Sequence, residues 1–454
     1  MDKALNREIL RLSVPSILAN LTVPLVGMVD TALAGHLPGG EAAAMIGGIS
    51  VGSMLLSLLY WNFVFLRTGT GGLTAQAFGR RDLHNAACIF SRGIAIALVF
   101  AVIILAIQVP FAKLAVLLVS NATPRVCEIA TRYFFIRIWA APATLCLMVF
   151  RGWFVGMQDS MSSMWTDLVV NVMNMAASAV LSFGAFGWGG IGFDGIAAGT
   201  LVAQYTGLLF AMMVCSLKYG RKVFKSVSLQ DVKDMFHWSV LKPFLQMNGN
   251  LMVRSLCFMV IYIGYTMIAA GLGDTLLACS SIMMQLLMFF SYFTDGFAYA
   301  GEALSGRFIG AQDSVMFHRT IRYVFVWSMS IAFLSIFAYW ALGVPAMRLF
   351  TSDEGVVSIC ARFLPWLLVM PPLGCAAFTW DGIYLGATES DSLLASMAGA
   401  AVSFLAVWFL FGNNLPQESE TSLHILLAAY FAHLAFRTLW LSLAYGKKVK
   451  HLAG

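Results

Sequence analysis

The apolar positions of this chain gather into windows of roughly 20 to 30 residues. They begin near Ile9, Ala44, Cys88, Arg125, Trp165, Ile191, Phe236, Leu276, Ile321, Val356, Leu393 and Leu423. A run of that length crosses a bilayer as a helix, because a helix satisfies its own backbone hydrogen bonds where water is absent. The pattern predicts an all-α polytopic membrane protein with twelve transmembrane helices. Short polar loops separate the runs. The most polar stretch, KYGRKVFKSVSLQDVKDMFHWSVLK, follows the sixth. It predicts a six-helix bundle over 1–217, a connecting loop over 218–235 and a second six-helix bundle over 236–454.

Composition sharpens this picture. Of the 454 residues 60% are hydrophobic and 11% charged, with a mean hydropathy of +0.81, against about 25% charged in soluble domains. The net charge of +6 does not signal nucleic-acid binding, because the basic residues sit in short loops. Alternate loops hold about 19 and about 5 of them, which predicts a cytoplasmic-membrane protein with both termini in the cytoplasm. The start, MDKALNREIL, has no small-residue cleavage site, so the first span is expected to be retained. Eight scattered cysteines without a CxxC pair read as packing residues, and neither a metal site nor a cofactor is predicted.

The two halves repeat at a nearly constant offset. Pro15 and Asn20 in SVPSILAN recur as Pro243 and Asn248 in LKPFLQMN, and AQAFGRRD recurs as GRFIGAQD. PATLCLMVFRGWFVGMQDS from Pro142 aligns with PLGCAAFTWDGIYLGATES from Pro372. Six spans return the chain to its starting side, so the halves share an orientation and predict a pseudo-symmetric pair of bundles around a central cleft.

One acid stands out in the first span. In ILRLSVPSILANLTVPLVGMVDTALAG, Asp30 is a carboxylate in an apolar segment, costly enough to imply a task. Pro15 and Pro24 leave the carbonyls of Arg11 and Asn20 without helical partners and predict kinks. The alternative is an acid near the outer end that reaches headgroups or caps the turn at His36 to Gly40.

These residues resemble the multidrug and toxic compound extrusion (MATE) family, in its DinF-like branch. The carriers are PSILANLTVPLVGMVDTALAGHL, FLRTGTGGLTAQAFGRRD, FRGWFVGMQDS and SYFTDGFAYAGEALSGRFIGAQD. The resemblance implies two six-helix bundles enclosing a cleft, and export of amphiphilic, often cationic compounds in exchange for protons or sodium ions. It matches Asp30 to the family's first-helix acid, whose protonation is linked to bending of that helix. In the fifth span the family commonly has Asn, three residues, then Asp. Here NVMNMAAS keeps Asn174 but has Ser178 at the acid's place. A hydroxyl brings no charge to a hard cation, so protons rather than Na+ become the expected coupling ion.

Other polar residues fall into groups. Asn171, Asn174 and Ser178 share one helical face. Meeting Asp30 and Thr200, they would hydrogen-bond its two protonation states differently; the alternative is plain interhelical packing. In the second half Arg254, Asp295 and Glu302 form a candidate charged site. A depth count of about 1.5 Å per residue pairs Arg254 with Asp295, as a structural ion pair or a place for a cationic substrate or second proton. Arg67 lies in FLRTGTGG as an anchor or a substrate contact, and Arg137 and Arg437 complete the buried bases. Arg151 and Asp381, at matching repeat positions, are read as an inner gate.

The predicted function is a secondary active multidrug efflux antiporter working by alternating access, a monomer in the bilayer with small amphiphilic substrates as its partners. The alternatives are a Na+-coupled exporter and a flippase for lipid-linked substrates. An intramembrane enzyme using Asp30 with Asp295 is disfavoured by their estimated depths, and a channel lacks a charged ring or filter motif.

Overall fold

The computed structural model describes residues 3–37, 41–118, 123–185, 187–221, 223–224, 237–351, 353–412 and 419–453. Most of the predicted connecting loop, residues 225–236, lies outside them. The described residues are helical and form no strand. In chain order the helices are α1 Lys3–His36, α2 Ala42–Trp61, α3 Phe65–Gly79, α4 Leu83–Leu118, α5 Pro124–Arg137, α6 Ala141–Gly156, α7 Ser160–Phe183 and α8 Phe193–Tyr219. They continue as α9 Trp238–Ala270, α10 Asp274–Gly310, α11 Ser314–Phe350, α12 Glu354–Arg362, α13 Leu364–Gly386, α14 Ser390–Val407 and α15 Glu420–Lys448.

Among the described residues eleven spans are long and apolar enough to cross a membrane, and a twelfth forms if α12 and α13, bent by 52° at Phe363, are taken as one. Three spans are interrupted: the second between α2 and α3, the fourth by a 3₁₀ turn at Ile138–Ala140, the tenth at Phe363. Large apolar side chains such as Val102, Phe333, Trp340 and Leu443 stand exposed on these helices, the surface that acyl chains cover.

The chain forms two compact units, Leu18–Pro243 and Met1–Ile17 with Phe244–Gly454. Residues 1–17 thus group with the second half, whereas the hydropathy pattern assigned them to the first. The cause is local. Gly296 of α10 leaves room for α1, so that a methyl group there would press on Ile17 and the Ser13 carbonyl. Trp327 Nε1 donates to Asn6 Oδ1 at 2.9 Å, and Arg307 pairs with Glu8 at 3.3 Å. Helix α1 runs unbroken through Pro15 and Pro24.

Within each unit the same packing recurs at an offset of about 230 residues. A methyl group on Gly152 of α6 would be driven onto the Arg67 carbonyl of α3; one on Gly382 of α13 would be driven onto the Ala298 carbonyl of α10. One turn on, Gly156 faces Gly71 and Thr74, while Gly386 faces Glu302 and Ser305. Glycines four apart let helix backbones touch. The turns match as well. Arg81, Gln158, Gln312 and Thr388 all take positive φ, from 56° to 62°. Each is followed by an acid whose backbone N–H closes the helix end, as Asp82 to the Ala77 carbonyl, Asp159 to Phe154, Asp313 to Phe308 and Glu389 to Tyr384. Three of these acids then cap the next helix, through Asn85, Ser162 and Met316. Asp159 also accepts from Lys218 at 3.0 Å and Tyr219 at 2.8 Å. Its burial opposes the charge, but Ser162, Lys218 and Tyr219 together hold its carboxyl below the usual carboxylate range.

Because the two glycine contacts are equivalent, Gly152→Ala and Gly382→Ala should destabilise to a similar extent, each by about 1–3 kcal/mol of overpacking. Thermal unfolding of the purified single variants checks this. A large loss at one position with none at the other would refute the equivalence.

The cores differ in detail. In the first unit Trp153 is fully buried, donates through Nε1 to the Ala86 carbonyl at 2.9 Å and meets the Tyr219 ring edge-on at 4.9 Å. In the second, Met283, Phe290, Phe363, Leu367, Phe404 and Leu427 join α10, α12, α13, α14 and α15.

Candidate transport sites

The first site lies in the unit Leu18–Pro243 and is built on the contact of α7 with α8. Gly195 and Gly199 of α8 have no room for a side chain, since methyl groups there would meet the α7 backbone at Leu181–Ser182 and at Ser178. At that separation Asn174 Nδ2 donates to Thr200 Oγ1 at 2.8 Å, and Ser178 Oγ donates to the Ile196 carbonyl at 3.2 Å. Asn174, Ser178 and Thr200 are all buried, and Asn174 Oδ1 lacks a hydrogen bond. Asn171, on the same face, donates to Thr22 Oγ1 of α1 at 2.5 Å.

Asp30 of α1 is 5% exposed, and its Oδ1 is buried without a hydrogen-bond partner. The Ser178 hydroxyl and the Arg137 guanidinium are the groups that act on its carboxylate. Arg137 closes α5 and donates through Nη1 to Tyr133 Oη at 2.7 Å and to Ser53 Oγ of α2 at 3.4 Å. Its guanidinium lies 5.2 Å from the Tyr133 ring centroid. Tyr60 of α2 also feels the Arg137 charge and lies by Thr144. Asn174, Ser178 and Thr200 are therefore brought together where α7 meets α8. Sequence reasoning noted Arg137 without linking it to Asp30, and it passed over Tyr133 and Ser53.

It also missed an acid. Asp167 of α7 forms an ion pair with Arg151 Nε of α6 at 2.5 Å, and Arg67 of α3 adds a second positive charge. Among the described residues Asp167 is thus a further carboxylate within a membrane span of the first half, in addition to Asp30. The signal was present in WTDLVVN, where Asp167 precedes Asn171 by one helical turn; its place near the start of the span made it look like a boundary residue.

In the second unit one carboxylate oxygen, Oδ2 of Asp381 in α13, accepts from both Arg254 of α9 and Arg437 of α15. Asp381 is 8% and Arg437 2% exposed, and the Arg437 guanidinium lies 5.6 Å from the Phe378 ring centroid. His433, one turn before Arg437, is fully buried with its ring 4.5 Å from that of Tyr430. Arg254 thus forms an ion pair with Asp381, a partner that the depth count did not give. Arg151 pairs with Asp167, and Asp381 with Arg254 and Arg437, each within its own unit. Glu302 is fully buried in α10, where its carbonyl lies beneath Gly386, and Asp295 is half-buried one to two turns earlier.

Comparison with known proteins adds the family. The MatE family model matches twice, over residues 15–180 and 251–410, once in each half. The DNA damage-inducible protein F of Escherichia coli (strain K12) is 32% identical over 443 residues, covering 97% of this chain and 92% of that protein. A probable multidrug resistance protein NorM of Photorhabdus laumondii is 23% identical over 393 residues, covering 85% and 83%. Among solved structures, the outward-facing conformation of a multidrug resistance MATE family transporter superposes with a TM-score of 0.82 at 17% identity, covering 99% of this chain and 96% of that one. The doubled family match falls on the same two halves that share glycine contacts and left-handed turns, and the chain belongs to the MATE family of membrane transporters; it is a transporter and not an enzyme.

Proposed function

We propose that this transporter exports amphiphilic, cationic organic compounds across the cytoplasmic membrane in exchange for protons, with Asp30 as the coupling acid. The observation that carries the reading is the placement of Asp30, buried, with one oxygen lacking a donor and Ser178 in the position where a second acid commonly stands. A buried charge so incompletely satisfied is expensive, and a proton removes it. In this reading the bundles 1–217 and 236–454, joined by 218–235, alternate access, and neutralising Asp30 lets α1 bend at Pro15 and Pro24 and repack. Bending alters the first bundle's wall, so substrate leaves as the proton enters. One proton moving through 100 mV supplies about 2.3 kcal/mol, enough for roughly fiftyfold accumulation.

Sodium coupling is the weaker alternative, because Ser178 brings a hydroxyl and no charge. A second reading, export of anionic or lipid-linked compounds, is favoured by one observation: Arg67 and Arg151 both act on the single carboxylate of Asp167.

The test is efflux from proteoliposomes over a panel of cationic and anionic probes, with the pH gradient and the sodium gradient imposed separately. Efflux of cations driven by the pH gradient alone, unchanged when choline replaces sodium, is expected. Transport that follows sodium, or anions only, would overturn the proposal.

A further inference from the structure

A groove opens on the surface of the unit Leu18–Pro243, between α4, α6 and α8. We infer that it holds one acyl chain of an anionic phospholipid, with Arg221 at its mouth taking the phosphate. The groove shares no lining residue with the contact of Asn174 and Thr200.

Its shape suits a chain. The groove encloses about 500 Å³, within the range of cavities that take a small molecule. Its inner wall is aromatic and fixed: the Phe90 ring meets Phe150 edge-on at 4.9 Å and Phe224 edge-on at 5.5 Å. The thiols of Cys146 and Cys215 are buried beside these rings. Its lips are open. Leu98 of α4 and Met212 of α8 are 46% and 42% exposed on helices that cross the membrane. An apolar hollow there faces acyl chains, not water, so lipid is what fills it. Along α4 the groove runs from Phe90 to Leu98, about 12 Å, and along α8 from Leu208 to Gly220, about 18 Å. Those lengths bracket the apolar depth of one leaflet, about 15 Å.

Charge marks the end where the headgroup belongs. Gly220 and Phe224 both line the groove, and Arg221 stands between them, exposed and without an ion pair among the described residues. Lys218, one turn before, already donates to Asp159 at 3.0 Å. Arg221 therefore brings a positive charge that Asp159 does not cancel. It lies just past the end of α8, where that membrane-crossing helix reaches the headgroups. A phosphate there meets a cation while its chain lies against the rings.

The test is lipid binding by the purified transporter in detergent, read by native mass spectrometry. The protein is titrated with dioleoylphosphatidylglycerol or, with the same tails, dioleoylphosphatidylcholine. One equivalent of the anionic lipid is expected to bind about fivefold more tightly than the zwitterionic one, the preference that one basic residue near the headgroups supplies. Arg221→Gln should remove that preference and leave phosphatidylcholine binding unchanged. Ser216 lines the groove at its exposed edge, so Ser216→Trp should fill it and lose the saturable equivalent of both lipids. Leu217→Trp, at a 79% exposed position outside the lining, should keep both. Arg221 is exposed, so its variant decides the matter even if Ser216→Trp fails to assemble. Equal affinity for the two lipids in wild type, an unchanged preference in Arg221→Gln, or equal binding by Ser216→Trp and wild type would overturn the inference. Displacement of the lipid by ethidium would overturn it as well, making the groove a place for an organic cation.

Discussion

Asparagine at position 30 is expected to reduce proton-driven efflux to background while the protein still assembles in the membrane. The side chain keeps its shape and nearly its volume, so packing of α1 in the first unit should survive. What it loses is the ability to exist in two charge states. A ligand, here a proton, shifts a conformational equilibrium only by its differential affinity for the two conformations. An amide that binds no proton at working pH has none. Removing a buried charge also removes its desolvation cost, so thermal stability should hold or rise slightly. Binding of substrate without coupled movement is the expected residue of activity. Undiminished exchange by Asp30→Asn would move the coupling role to Asp295 or Glu302.

The largest stability effect should come from Asp381→Ala. One carboxylate oxygen there joins Arg254 of α9 to Arg437 of α15, and Arg437 is almost wholly buried. Two guanidiniums left near each other without the shared anion repel, and Arg437 is too deeply buried to regain water. Breaking a single buried ion pair costs about 3–5 kcal/mol, and this substitution breaks two. Asp381→Asn should cost less, because an amide oxygen still accepts from both. A triple variant, Arg254→Met, Asp381→Leu and Arg437→Met, should recover most of the loss, since apolar side chains of similar volume often replace a buried ionic cluster without penalty. Thermal denaturation of the three purified variants reads the order directly. A triple variant as unstable as Asp381→Ala would mean that the cluster has a role beyond satisfying its own charges.

Much of this was legible from the residues. Twelve apolar windows located the spans because the bilayer demands length and apolarity, and little else, of each helix. The repeat was visible because the close helix contacts and the capped turns admit few residue types: glycine where Gly152 and Gly382 meet a backbone, an acid after the left-handed residue where Asp82, Asp159 and Asp313 cap the next helix. Asp30 was legible for the opposite reason, as the expensive exception in its span. Pairing was not legible. Which base meets which acid depends on helix rotation, and that is not written in hydropathy. Hence the ion pair of Arg254 with Asp381 was not foreseen, and Arg137 was counted without its neighbour. The membership of residues 1–17 escaped for a similar reason, because a helix can leave its own bundle wherever a glycine such as Gly296 opens room for it.

Proton release on substrate binding is the most direct measurement of the central claim. Adding a permanent organic cation to purified protein in weakly buffered detergent solution should release protons into the medium, and the release should vanish in Asp30→Asn. Equal release from that variant and from wild type would contradict the account.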